Sequence, residues 1–229
     1  MQIIDARQGI QVLDTRSPAS LLSKVLWITT VGFVFTAVGT YLAPPSLGIG
    51  IMAIFLVNMA MIFAISYAAR RSNALALTLF YAFTLLMGVQ ISPIVNGYLH
   101  TPNGPTIVFN AAATTALGMG IMAVVAQFAT FNYMKVGRIA FFALIGLVLI
   151  GLLGMFVHFV SPGLYAWATL GIFSVLLLVD FMRLKDRGQD FGPVQMALSI
   201  YLDALNIFIA LLQIFGGGNS DRRRGGGWS

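Results

Sequence analysis

The sequence predicts an all-α polytopic membrane protein, and three observations carry that prediction. Of the 229 residues, 59% are hydrophobic and only 9% charged, with a mean hydropathy of +0.90; soluble domains carry about 25% charged residues. The apolar residues fall into seven runs of about twenty, the length of helix that crosses a hydrocarbon core of ~30 Å. Lys and Arg gather in alternate connections between those runs, as they do when a chain weaves across a bilayer.

Residues 1–20 are polar and mixed, with Asp5, Arg7, Asp14 and Arg16. They lack the basic start and short apolar core of a cleaved signal and read as a cytoplasmic N-terminal segment. The transmembrane domain occupies 21–215. Its first span runs from about Leu21 to Leu42 and ends at Ala43-Pro44-Pro45-Ser46. The second, about Leu47 to Ala69, stops at Arg70-Arg71-Ser72-Asn73, and the third runs from Ala74 to Tyr98. A turn-rich stretch, His100 to Pro105, leads to the fourth span, Thr106 to Phe128. The fifth covers Ile139 to Val157 and the sixth Leu164 to Phe181. A charged loop from Arg183 to Asp190 precedes the last run, Pro193 to Phe215, and residues 216–229 form a flexible Gly/Arg-rich tail.

Positive charge lies in the N-terminal segment (Arg7, Arg16, Lys24), after span two (Arg70, Arg71), after span four (Lys135, Arg138) and after span six. The other connections carry none, which places the N-terminus in the cytoplasm. The net charge of +6 is therefore topological, and its scatter in pairs excludes a nucleic-acid surface. Arg222, Arg223 and Arg224 in the tail conflict with a seventh crossing. The final stretch either crosses against that bias or re-enters, and its length favours crossing. Gly32, Gly39, Gly118, Gly120, Gly146, Gly151 and Gly154 read as close-packing positions between helices.

The final run carries Gln195, Ser199, Asp203, Asn206 and Gln213. At about 100° per residue these five fall within an arc of roughly 80°. Charged and amide groups in hydrocarbon cost several kcal/mol, so this stripe must face protein, water or an ion. Asp203 is the sharpest candidate, near mid-span. Asp180, closing span six, is the one candidate for a second carboxylate. Burial disfavours ionisation, and a neighbouring carboxylate disfavours it further, so such a pair can hold one proton or exchange it for a cation. The alternatives are an Asp203 that pins helix packing through Ser199 or Asn206, and an interfacial Asp180 paired with Arg183 or Lys185. Arg70 and Arg71 lie on the same side as Asp180 and could latch onto it, unless they serve only as positive-inside anchors. Protonating the carboxylate weakens such a latch, so acid favours release. Ser92-Pro93 in span three can free backbone carbonyls for a cation or a neighbouring helix.

Enzyme chemistry finds no support. The chain has no cysteine, which excludes thiolate metal sites and cysteine nucleophiles. His100 and His158 lie in loops without partners at metal-ligand spacing, and no phosphate-binding Gly-rich loop is present. No catalytic residue and no cofactor is assigned.

Two stretches carry a resemblance. One is Met196 to Phe208, with Tyr201-Leu202-Asp203 followed by Asn206, running on to Ile214-Phe215-Gly216. The other is Tyr81-Ala82-Phe83-Thr84 through Gly88-Val89-Gln90-Ile91-Ser92-Pro93. Together with Asp180 and the span pattern from Lys24 to Gly216, they resemble the Bax inhibitor-1 (TMBIM) membrane proteins and their bacterial relatives. The resemblance implies a seven-helix fold with the last helix central, wrapped by the other six. It also implies a pH-sensitive calcium leak channel, with Asp180 and Asp203 as the ion and proton sensor and Ca2+ as permeant or bound ion. Gln195, Ser199, Asn206 and Gln213 would then line a pore or pack helices. The family's latch arginine falls on Arg70, with Arg71 adjacent. A bacterial inner-membrane location follows from the same likeness. The alternative function is regulation of another membrane protein, such as a membrane-bound protease, in a stress response. Some relatives carry an acidic residue in span two, where this chain has Asn58 and Met59.

Overall fold

The computed structural model, described for residues 18–44, 50–154, 160–187 and 190–217, folds into seven helices with no strand among those residues. They are α1 (Pro18–Leu42), α2 (Gly50–Ala68), α3 (Asn73–Leu99), α4 (Gly104–Phe128), α5 (Tyr133–Gly154), α6 (Pro162–Arg187) and α7 (Pro193–Gly217). Six are long and apolar enough to cross a membrane, and α2, at 19 residues, comes close to the same reach. The connections start their helices by local chemistry. Ser72 Oγ accepts from Leu75 N at 3.4 Å, Asn132 Oδ1 from Lys135 N at 3.1 Å, and Ser161 Oγ from Leu164 N at 3.3 Å. Asn132 is why α5 begins at Tyr133, ahead of the Ile139 expected from hydropathy; the expected end of that span, near Val157, lies outside the described residues.

The last helix is central. The most apolar window of α7 is 56% buried, against 11% for α5, the most hydropathic of the six long spans. Hydropathy alone thus picks the wrong helix for the core, because in a bilayer the most apolar surface faces lipid. Around α7 pack α1, α2, α3, α4 and α6. The resemblance implied six surrounding helices. Among the described residues α5 packs on α6 instead and reaches α7 only across a cleft.

The most extensive interface joins α1 to α3, and glycine permits it. A methyl group on Gly39 would collide with the Leu85 carbonyl, and one on Gly88 with the Thr36 carbonyl. Thr36 and Thr40 use that proximity, donating to Thr84 O at 3.0 Å and Gly88 O at 3.1 Å. Tyr201 of α7 inserts its fully buried ring among Phe33, Phe80 and Phe83, and its hydroxyl meets Thr36 Oγ at 2.6 Å. Gly216, in the last turn of α7, lies against the Tyr98 ring, where no side chain would fit. Gly32 and Gly151 also sit at close contacts. Gly118, Gly120, Gly146 and Gly154 have nothing near enough to meet an added methyl, so the packing expectation fails at those four.

The ends of the helices sort by charge. Lys185, near the end of α6, donates to the carbonyls of Ala126, Gln127 and Ala129 at the end of α4, at 3.2, 3.4 and 3.5 Å. Gly192, just before α7, lies beside the α2–α3 turn, within 3.8 Å of Ala69 O for an added methyl. The Lys- and Arg-bearing connections after α2, α4 and α6 therefore share one end of the bundle. Because α7 runs unbroken for 25 residues, about 37 Å at 1.5 Å per residue, it crosses rather than re-enters, and its last turn emerges at the opposite end.

Candidate functional site

Asp180 does not close its helix. The sequence reading ended span six at Phe181, but α6 continues to Arg187. Phe181, Met182 and Leu184 supply the reason, being 1%, 2% and 3% exposed. They bury the inner face of two further turns against the bundle, while Lys185 caps the end of α4. This overrun carries Asp180 about two turns inside the helix end and removes the mismatch in depth with Asp203.

The two aspartates, 5% and 7% exposed, come within hydrogen-bonding reach of one another. The Ser199 hydroxyl, one turn before Asp203 on α7, donates to Asp180 Oδ2. Arg183, one turn beyond Asp180 on α6, places Nη1 3.2 Å from Asp180 Oδ1. Asp180 is thus held on both oxygens. Asp203 Oδ2 is buried without a hydrogen-bond partner. A buried carboxylate oxygen left in that state costs several kcal/mol while charged, and a proton or a cation removes the cost.

All four side chains line one cleft of about 560 Å³ at the basic end of the bundle. Its α5 wall presents Tyr133, Arg138, Phe141 and Leu144. Leu176 and Val179 of α6 and Phe191 of the α6–α7 connection complete it. Apart from Arg138 of α5, its charged groups lie on α6 and α7.

Of the polar stripe, Ser199 and Asp203 reach this cleft. Asn206 donates to its own helix at Leu202 O, 2.8 Å away. Gln195 and Gln213 are half-buried and do not line it. Arg70 and Arg71 are exposed, and neither pairs with Asp180 or Asp203. Arg71 instead lies over the Tyr67 ring, 4.9 Å from its centroid. The cation on Asp180 is Arg183, so the latch expected from α2 is not engaged in this structure. Ser92-Pro93 also behaves differently from the expectation. Pro93 cannot donate to Val89 O, and the Ser92 hydroxyl takes that acceptor at 2.8 Å, leaving no free carbonyl for an ion. Asn58 lies away from the cleft, donating to Gln90 Oε1 at 2.6 Å and to Met87 Sδ at 3.3 Å.

Arg183 was the residue that sequence reasoning underrated. Its spacing of three from Asp180 is the signal, since residues at that interval meet on one helical face, but only once the helix is known to continue.

Residues 18–221 match the protein family described as "Inhibitor of apoptosis-promoting Bax1". Among bacterial relatives, an uncharacterized protein of Campylobacter jejuni is 30% identical over 73% of this chain and 72% of its own length. An uncharacterized membrane protein of Streptococcus pyogenes serotype M1 is 31% identical over 70% and 72%. One from Vibrio cholerae is 27% identical over 86% and 88%.

Proposed function

Because this chain belongs to the Bax inhibitor-1 family, we propose that it is a pH-sensitive calcium leak protein whose Asp180 and Asp203 hold either a proton or a cation. The observation that supports this most is the unpartnered, buried Oδ2 of Asp203 beside a second carboxylate in a cleft open at the basic end. The two carboxylates and the Ser199 hydroxyl offer hard oxygen donors of the type Ca2+ prefers; the remainder of its usual six to eight or so ligands would be water.

Protons and cations compete for the same oxygens. The charged and titratable groups facing the pair are Tyr133 and Arg138 of α5 and Arg183 of α6. When Asp180 is ionised it holds Arg183, and protonation removes that attraction, so acid frees the guanidinium within the cleft. Arg70 and Arg71 retain a latch role in this proposal only in a second conformation that brings α2 to Asp180. The inner membrane, with the basic end in the cytoplasm, is the proposed setting.

The test is calcium efflux from proteoliposomes across a pH series. Asp203→Asn is expected to lower the flux, and Asp180→Asn to move its pH midpoint. Flux unchanged in both variants sinks the proposal and favours the regulation of another membrane protein, such as a membrane-bound protease.

A further inference from the structure

The Asp180–Asp203 site already contains a positive charge. Asp180 Oδ1 faces Arg183 at 3.2 Å and its Oδ2 accepts from Ser199. Of the oxygens around this centre, Asp203 Oδ2 is the buried one that stands without a partner. A divalent ion placed between the two carboxylates would find Asp180 engaged, with a guanidinium in contact with the oxygen it needs. We propose that Arg183 is a tethered counter-ion of this site, which must leave Asp180 before a divalent cation can bind both aspartates. The inference rests on the reading of the aspartate pair as a cation site and adds what sets its affinity.

Three features fit Arg183 for that role. It shares a helix with Asp180, one turn toward the open end of the cleft, so it can swing outward without any helix moving. Its side chain is 40% exposed, whereas that of Asp180 is 7% exposed; the arginine therefore reaches water while its partner does not. It also pairs through one nitrogen only, giving less than the two parallel bonds that make a guanidinium–carboxylate pair rigid. Arg138 provides an internal comparison, since it lines the same cleft from α5 without pairing to either aspartate. A general field effect of positive charge at the mouth would act through both arginines, whereas displacement of a counter-ion acts through Arg183.

Equilibrium binding of radioactive calcium to the detergent-solubilised full-length chain, at one pH and ionic strength, tests this. Arg183→Gln is expected to tighten binding roughly tenfold or more, the low end of the coupling between close charge pairs. Arg138→Gln should shift it by no more than about threefold, the scale of a screened charge at a rim. Arg183→Lys keeps the charge but loses the planar guanidinium, and should fall between wild type and Arg183→Gln; it also serves if the glutamine variant does not stay folded. Wild-type affinity in Arg183→Gln, or in Arg183→Lys where only that variant is monodisperse, overturns the proposal. So does an equal shift in Arg138→Gln. In those cases, wild-type binding that disappears in Asp203→Asn leaves the aspartate site standing. Absence of binding in the wild type and in both Arg183 variants overturns both this inference and the reading beneath it.

Discussion

Replacing Gly88 with alanine should unseat the helix pair on which α7 is mounted. The added methyl would overlap the Thr36 carbonyl oxygen and approach Thr36 C and Thr40 N at 2.9 Å. All three are backbone atoms of α1, so no side chain can yield; the helices themselves must part. Parting them weakens three hydrogen bonds: Thr36 to Thr84 O, Thr40 to Gly88 O, and Thr36 to the Tyr201 hydroxyl. At about 0.6 kcal/mol each for polar contacts between membrane helices, their loss costs about 2 kcal/mol. Overpacking strain adds about 1–3 kcal/mol, and the better helix propensity of alanine returns about 1. The net expectation is a destabilisation of about 2–4 kcal/mol. Gly118→Ala is the matched control, because an added methyl there meets nothing within 4 Å; it should be neutral or slightly stabilising. Reversible unfolding in mixed micelles measures both. If the two variants differ by less than about 0.5 kcal/mol, within the spread of ordinary surface substitutions, the close-approach reasoning is wrong.

Two shorter tests probe the site and its support. Ser199→Ala removes the hydroxyl that donates to Asp180 Oδ2, and since that bond favours the charged carboxylate, the pH midpoint of calcium flux should move upward; a downward move would refute the assigned donor. Lys185→Met strips three carbonyls at the end of α4 of their ammonium partner. It should cost about 1 kcal/mol in the same unfolding measurement, combining a charge-assisted hydrogen bond with the helix dipole.

The fold class was legible because hydrocarbon imposes simple demands: length, apolarity and shielding of polar groups. The stripe on α7 announced a protected helix, and α7 is the one whose window is most buried. Asp180 and Asp203 were legible for the same reason, as charges with no business in lipid. Their contact was not legible, because it depends on α6 continuing past Phe181. A hydropathy reading ends a span where charges begin, yet Phe181, Met182 and Leu184 keep two further turns folded on the bundle. The latch arginines expected from the family resemblance, Arg70 and Arg71, are not engaged in this structure. With span six cut short, Arg183 stood in a loop, where it was offered with Lys185 as a partner for an interfacial Asp180; the structure keeps the Arg183 pairing and moves it inside the bundle. Glycines were only partly informative, since small residues are needed where backbones cross and are merely tolerated elsewhere; Gly39 and Gly118 look alike in sequence and differ wholly in surroundings.

In this structure the cleft ends part-way along the bundle. Along α7 its lining reaches Asp203, and about 20 Å of helix rise separates that residue from Gly216. Over that stretch Leu205, Ile207, Leu211 and Leu212 are buried, and Gly216 is sealed under Tyr98. A bare ion cannot cross such packing, so the proposed flux needs a rearrangement, and the attachments of α7 limit which one. Tyr201 and Gly216 bind it to the α1–α3 pair through contacts with no slack. On the other flank α6 makes the most extensive interface of α7, with the Asp180–Ser199 hydrogen bond within it, whereas among the described residues α5 packs on α6 alone. The least attached wall of the cleft is therefore α5, which can swing outward without disturbing the contacts of α7 with α1, α3, α4 and α6. A swing of α5 would widen the cleft on the side of Tyr133, Arg138 and Phe141, and the apolar packing from Leu205 to Gly216 would still have to part for an ion to cross.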